Sequence, residues 1–227
     1  MAFEKKHIAV LVGITLFVSI CIIEFGLYRV SYNENMKESE RILKIAYNLV
    51  DNSNNSKKFE KLPLGNLKEA YNKINTNNIS NEPIANFDKE EVVCADDIIG
   101  ILEIKKLQIE APIKDGTSQE VMKTSVGHFI ESDYWNGNVS LASHNGGTSA
   151  HYFEKINELS VDDEIKYITK LGTKVYKVQS MKRVEDTDWS MVVKEESQSA
   201  NTQNTITLVT CINGQPNYRL CVRGIEI

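Results

Sequence analysis

One membrane-spanning helix followed by a mainly β domain closed into a barrel is the architecture this sequence predicts, on three observations. Residues Ile8–Ile23 run for sixteen positions without a charge. From Ile98 onward, apolar residues recur at every second position, the period of a half-buried strand. Turn-forming pairs such as Asp115-Gly116, Asn136-Gly137 and Asn213-Gly214 cut that half into short pieces. Many short strands with frequent turns build a sandwich or a barrel, and closing about eight of them leaves few unprotected edges.

Composition narrows the function classes. The 227 residues carry 26 Lys+Arg against 31 Asp+Glu, a formal net charge of −5. With no Lys/Arg run longer than two residues, a nucleic-acid binder held by phosphate contacts is excluded as a leading idea. Cysteines stand at positions 21, 94, 211 and 221 with no C-x-x-C, which excludes a zinc knuckle and a disulfide-dense scaffold.

The apolar run is just long enough to cross a bilayer, which takes roughly 17–25 helical residues, and we place the span at 8–27. A cleaved signal peptide would show a small-x-small site, which Ile22-Ile23-Glu24-Phe25-Gly26 does not supply. A buried soluble helix would be amphipathic, which Ile8–Ile23 is not. Lys5 and Lys6 precede the span and Arg29, Glu34, Glu38 and Glu40 follow it, so residues 1–7 are expected in the cytoplasm and the rest outside. Residues 28–97 read as an extracellular, partly helical stalk. Ile42, Ile45, Ala46, Leu49 and Val50 form a helical stripe, and Leu67, Ala70, Tyr71 and Ile74 suggest a second short helix. Ten Asn between 51 and 86 favour turns. A helical cap folded onto the barrel is the alternative.

Residues 98–227 are the expected β domain. Leu107, Ile109 and Ala111 alternate with polar neighbours. Further strands are expected at Asn138–Ser143, Glu164–Thr169, Lys174–Val184, Thr205–Cys211 and Arg219–Ile227, with Tyr152–Leu159 as the one helical interruption.

Chemistry is expected where strands end in loops, because a rigid element there presents a side chain to solvent. Cys211 closes the run from Thr205 and shares a face with Thr207 and Val209. Folding back over 212–218 sets Arg219 opposite Cys211 and Cys221 opposite Val209. A guanidinium beside a thiol favours thiolate and can donate to an oxyanion, although a cysteine near an arginine is more often structural. Among the histidines His7 lies beyond the span, and His128, His144 and His151 remain. His144 follows a strand and shares a face with the small Ala142.

Thr207-Leu208-Val209-Thr210-Cys211 with Arg219-Leu220-Cys221-Val222-Arg223-Gly224 resembles the signature of the sortases. Asn138–His144 is similar to their histidine segment, Val126-Gly127-His128-Phe129 to the strand before it, and Ile99–Ile104 to their opening strand. The resemblance covers about 98–227 in the family's order. It implies a sortase-type eight-stranded closed β-barrel and a cysteine transpeptidase that cuts a sorting motif of the Leu-Pro-x-Thr-Gly kind and passes the acyl group to an amine. By residue it implies Cys211 as nucleophile, His144 as general acid/base and Arg219 as the group steadying the substrate carbonyl or oxyanion. It further implies that Ala142, Thr207 and Val209 shape the groove and that Trp189 and Met191, in the 184–192 loop, contact substrate. No metal site and no cofactor are implied, with calcium dependence left open.

Expected partners are secreted proteins with a C-terminal sorting motif and a peptidoglycan-precursor amine, met on the outer membrane face of a Gram-positive-type cell. Ser143 stands where many relatives have Gly. Absence of an Asp-Pro-aromatic lid and of a second apolar span argues against the pilus-polymerising class and for a single-anchor class A or class D enzyme. Cys221 reads as a core filler, Cys21 as lipid-facing, and Cys94 has no identifiable partner. A hydrolytic cysteine endopeptidase and a non-catalytic surface-binding module are the rivals.

Overall fold

The computed structural model describes residues 2–59, 89–147, 149–193 and 203–227. Eight strands form the barrel: β1 (Ile98–Ile104), β2 (Ile109–Asp115), β3 (Val126–His128), β4 (Asn138–Ala142), β5 (Glu164–Thr169), β6 (Gly172–Glu185), β7 (Thr205–Ile212) and β8 (Gln215–Glu226). Their order around the closed barrel is β1-β2-β3-β4-β7-β8-β6-β5. Most neighbours are antiparallel, but β2 runs parallel to β3 and β4 parallel to β7. Helix α1 (Ala2–Phe59) precedes the barrel, with one-turn helices α2 (Lys89–Val92) and α3 (Gln119–Met122) later. Ser118 caps α3 by accepting from the Val121 amide, which turns the chain for the parallel step from β2 to β3.

Alternation places Leu102, Ala111, Ile113, Val139, Leu141, Ile165, Tyr167, Ile206, Leu208 and Val222 inside, all fully buried. Phe153 and Ile156 plug the barrel from the loop after β4. Burying such side chains contributes roughly 1.5–3 kcal/mol each. Gly100 sits where β1 meets β5 so closely that a Cβ would strike the Ile168 carbonyl.

Several element boundaries differ from the sequence reading. Leu107 belongs to a 3₁₀ turn, Lys105–Leu107, closed by Gln108 in the left-handed region, so β2 starts only at Ile109. The helix expected over Tyr152–Leu159 is a single 3₁₀ turn, Ile156–Glu158, and it is not the one interruption, since α3 is another. The link between β7 and β8 is the pair Asn213-Gly214, not the whole of 212–218. Gly214 there takes φ +74, at ease only for glycine or a few polar residues. Ile212 pairs with Gln215 and Cys211 with Arg219, so Pro216, Asn217 and Tyr218 bulge out of that ladder. Pro216 has no N–H to offer it.

Helix is continuous through Phe59, and residues read as stalk lie against the barrel. Ala46 packs with Ile98 and Ile101, flanked by Ile42, Leu43 and Leu49. Tyr47 donates to Glu110. The expected helix over 67–74 lies outside the described residues. Nearer its start α1 is long and apolar enough to cross a membrane. Ile14, Leu16, Phe17, Ile20, Ile22, Ile23, Phe25 and Leu27 are each more than half exposed. Uncovered apolar surface of that extent suits a bilayer rather than water.

Beside β3 lies a buried polar cluster. His128 Nδ1 is 3.2 Å from an Asp115 carboxylate oxygen that also accepts from the Tyr134 hydroxyl at 3.0 Å, while Lys89 pairs with the other oxygen at 2.6 Å. Burial alone would push the Asp115 carboxyl up, but hydrogen bonds from His128, Lys89 and Tyr134 outweigh it and hold the group down at about 2. A depressed carboxyl stabilises the fold above its unfolded value of about 3.9, and that contribution is lost as pH falls toward 2. At ~1.4 kcal/mol per unit this is about 2–3 kcal/mol. Asp115→Asn should lower the melting temperature at pH 7 and flatten its dependence on pH between about 2 and 4, as measured by thermal denaturation.

Candidate active site

Cys211 lies at the exposed end of β7, and its cross-strand partner on β8 is Arg219. Parallel β4 delivers His144 to the same end, because Ala142 aligns with Val209 and the two chains stay joined beyond the ladder. Ser143 N–H donates to the Val209 carbonyl at 3.3 Å, and the Thr210 hydroxyl donates to the Ser143 carbonyl at 2.7 Å. Asn145 then donates its amide to the Cys211 carbonyl at 2.7 Å and to Asn213 Oδ1 at 3.1 Å. The residues on either side of His144 are thus tied to the strand that carries the thiol. Asn145 was not singled out in the sequence; its place directly after the histidine was the available signal.

The groups differ sharply in environment. His144 is half-buried; burial, and then the charge of nearby His151, push its imidazole below the usual range. Near neutrality the ring is therefore mainly neutral, able to accept a proton. Cys211 is exposed, whereas Cys221 is 1% exposed and burial pushes its thiol up to about 11. A thiol that resists ionisation is a poor nucleophile, so the two cysteines fall into different roles. Cys94, too, is pushed up by burial.

Arg219 Nη1 donates to the carbonyls of Pro216 at 2.7 Å and Tyr218 at 2.9 Å, while Nη2 lies 3.7 Å from Asp186. The bulge supplies both carbonyls, so Nη1 is held by the backbone while Nη2 faces the Asp186 carboxylate.

Beside the thiol an apolar floor gathers Phe129, Ala142, Met191, Val192, Val209 and Cys221. Trp189 stands 53% exposed above it, edge-on to Phe129 with ring centres 5.9 Å apart. Ala142, Val209 and Met191 thus share one buried apolar cluster, and Trp189 joins it through Phe129. Thr207 does not join them. It is fully buried beneath, where its hydroxyl donates to Asn138 at 2.9 Å and accepts from Arg223 at 3.4 Å.

The loop bearing Trp189 and Met191 is itself pinned from below. Asn138 Nδ2 donates to the carbonyls of Met191 and Val192, the Ser140 hydroxyl to Val192, and Arg223 to Met191. Asn138 and Arg223 escaped the sequence reading because inward-facing polar residues of a strand look alike until the strands are paired, and Phe129, just past β3, reads as an ordinary core residue. His128 and His151 are engaged by other partners. His128 is fully buried with both ring nitrogens engaged, and His151 rests on Tyr32 of α1. Among the described residues no group of three or more His, Cys, Asp or Glu could hold a metal ion.

Comparison with known proteins fixes the family. Residues 102–226, more than half of the chain, match the family model of the Sortase domain. This chain belongs to the sortase family. The sortase is 29% identical over 114 residues to Sortase D of Bacillus subtilis (strain 168), a match covering 49% of this chain and 53% of that protein. The match spans about half of the curated relative's length. Among solved structures, the sortase resembles a Clostridium perfringens Sortase D5 transpeptidase at 26% identity and TM-score 0.52, covering 63% of this chain and 90% of that one. It also resembles Streptococcus pneumoniae Sortase C at 19% identity and TM-score 0.57, covering 81% and 96%. The second likeness carries the fold alone, and it is the eight-stranded barrel.

Proposed function

We propose that this sortase is a membrane-anchored cysteine transpeptidase with Cys211 as nucleophile, His144 as general acid/base and Arg219 as oxyanion donor. The observation that carries the reading is the stitched junction of β4 and β7, which brings a half-buried imidazole and an exposed thiol to one end of the barrel beside Arg219. Neutral His144 takes the Cys211 proton, and the thiolate sulfur attacks a peptide carbonyl carbon. Arg219 donates to the oxygen as it gains charge. Protonated His144 then gives its proton to the departing amine, leaving a thioester on Cys211. An acceptor amine attacks that thioester, His144 takes its proton, and the new amide leaves with Cys211 restored.

The substrate is a secreted protein with a Leu-Pro-x-Thr-Gly-like motif. Its apolar residues would rest on Ala142, Val209 and Met191 under Trp189, which the apolar floor supports. The acceptor is a peptidoglycan-precursor amine. The anchor is α1, with the N-terminus in the cytoplasm and the barrel outside. The likeness to Sortase D at 29% identity and to Sortase D5 at 26% supports the class D side of the class A or D alternative. The proposed steps use no cofactor. A test is incubation of the full chain in detergent with a peptide library and oligoglycine. Ligated products are expected; peptides cleaved to free acids with no ligation would favour the endopeptidase reading.

Arg219→Lys separates charge from geometry. Lysine keeps the positive charge but loses the planar fork of donors. Transfer should fall roughly 10²–10³-fold, as for loss of one oxyanion donor, while alkylation of Cys211 by a small haloacetamide should change little. Both rates can be followed by mass spectrometry.

A further inference from the structure

Helix α1 does more than connect the membrane to the barrel. Just past the apolar stretch, the Tyr28 hydroxyl donates to the Gly147 carbonyl at 3.1 Å. One turn on, the Tyr32 ring stacks on His151 with centres 5.4 Å apart. Two turns further, buried Ser39 shares a hydrogen bond with the Tyr152 hydroxyl. Gly147, His151 and Tyr152 all belong to the loop that begins at His144. That loop is short and closed at its base, because Phe153 N–H donates to the His144 carbonyl at 3.2 Å and the Ser143 hydroxyl to Ala150 at 3.4 Å.

The spacing explains why one helix reaches all these points. Positions 28 and 32 are four apart, and 32, 39 and 46 are seven apart, so all four lie along one face. Ala46 is the residue of that face that packs against Ile98 and Ile101 of β1. Its burial fixes the rotation of α1, and with the rotation fixed Tyr28 and Tyr32 must fall on the histidine loop.

We infer that the first turns of α1 outside the membrane, through Tyr28 and Tyr32, are a positioning element that holds the His144 loop against the barrel. This rests on the transpeptidase reading for its catalytic consequence, but not for the contact itself. Tyr28 follows Ile23 by five residues, about 7–8 Å of helix. The element that holds the catalytic histidine is therefore the one leaving the bilayer, and the site is kept close to the membrane surface.

The test uses the full chain in lipid nanodiscs, comparing wild type, Tyr28→Phe, Tyr32→Ala and the double variant, with Lys37→Ala as an exposed control on the same helix. Hydrogen exchange of the 145–151 amides is measured alongside the kinetics of peptide transfer to oligoglycine. The double variant should exchange faster in 145–151, with kcat lowered about tenfold, KM within twofold, and melting temperature unchanged, the size expected for one hydrogen bond plus one ring contact. Lys37→Ala should match wild type throughout. Unchanged exchange in the double variant would overturn the inference, as would faster exchange with unchanged kcat. Absence of transfer by the wild type would count against the transpeptidase reading instead, and the exchange data would still decide whether α1 holds the loop.

Discussion

Cys211→Ala is expected to abolish both peptide cleavage and transfer, whereas Cys221→Ala and Cys94→Ala keep most activity. Removing a covalent nucleophile deletes the two-step route, so nothing replaces the thioester. The contrast between the cysteines follows from their surroundings. Cys211 is exposed at a strand end beside Arg219, while Cys221 is buried within the apolar floor with its thiol pushed up to about 11. Turnover is measured with a fluorogenic peptide and, separately, by the yield of ligated product. Substantial turnover by the Cys211→Ala protein would remove the mechanism altogether.

His144→Ala carries the next largest expected loss, roughly 10²–10⁴-fold, the usual contribution of a general acid/base. His128→Ala should act on the fold, because it empties a fully buried site that ties β3 to Asp115, and His151→Ala should cost far less than His144→Ala. The pH profile adds a signature. Burial and His151 depress the His144 imidazole, so the ring stays neutral down to a pH below the usual histidine range. Activity should persist as pH falls through about 6.5 and drop only below it, when His144 is protonated before it can take the thiol proton. Stopped assays across pH 4–8, roughly one decade of proton activity per unit, would show where that limb lies. An acid limb at or above the ordinary histidine value would contradict the role.

The parts of this protein that were legible in its sequence are those governed by local period. Alternation along Thr205–Cys211 and from Arg219 onward placed Cys211 opposite Arg219 and Val209 opposite Cys221, and the ladder has that register. The register survived although the turn was misjudged, because the bulge at Pro216–Tyr218 absorbs the residues that a tight Asn213-Gly214 turn leaves over. Elements whose form depends on partners were not legible. Leu107 looked like the start of a strand because a 3₁₀ turn against the core also needs an apolar residue there. Thr207 shared its face with Val209 in the pattern, yet buried Asn138 and Arg223 from neighbouring strands claim its hydroxyl. The path of α1 was least visible. A stripe of Ile42, Ala46 and Leu49 says that a helix has an apolar face, but not that β1 is what covers it.

The thioester on Cys211 is the species on which the whole account turns, since a hydrolytic site, a transferase and an inert module differ first in whether it forms and then in what discharges it. Intact-protein mass spectrometry of the full chain, mixed with a sorting-motif peptide in the absence of any amine, tests this directly. The account predicts a mass increase equal to the acyl fragment, located on the peptide that contains Cys211, and its discharge into ligated product when oligoglycine is added. No adduct on Cys211, or an adduct that only water removes while the amine is present, would contradict it.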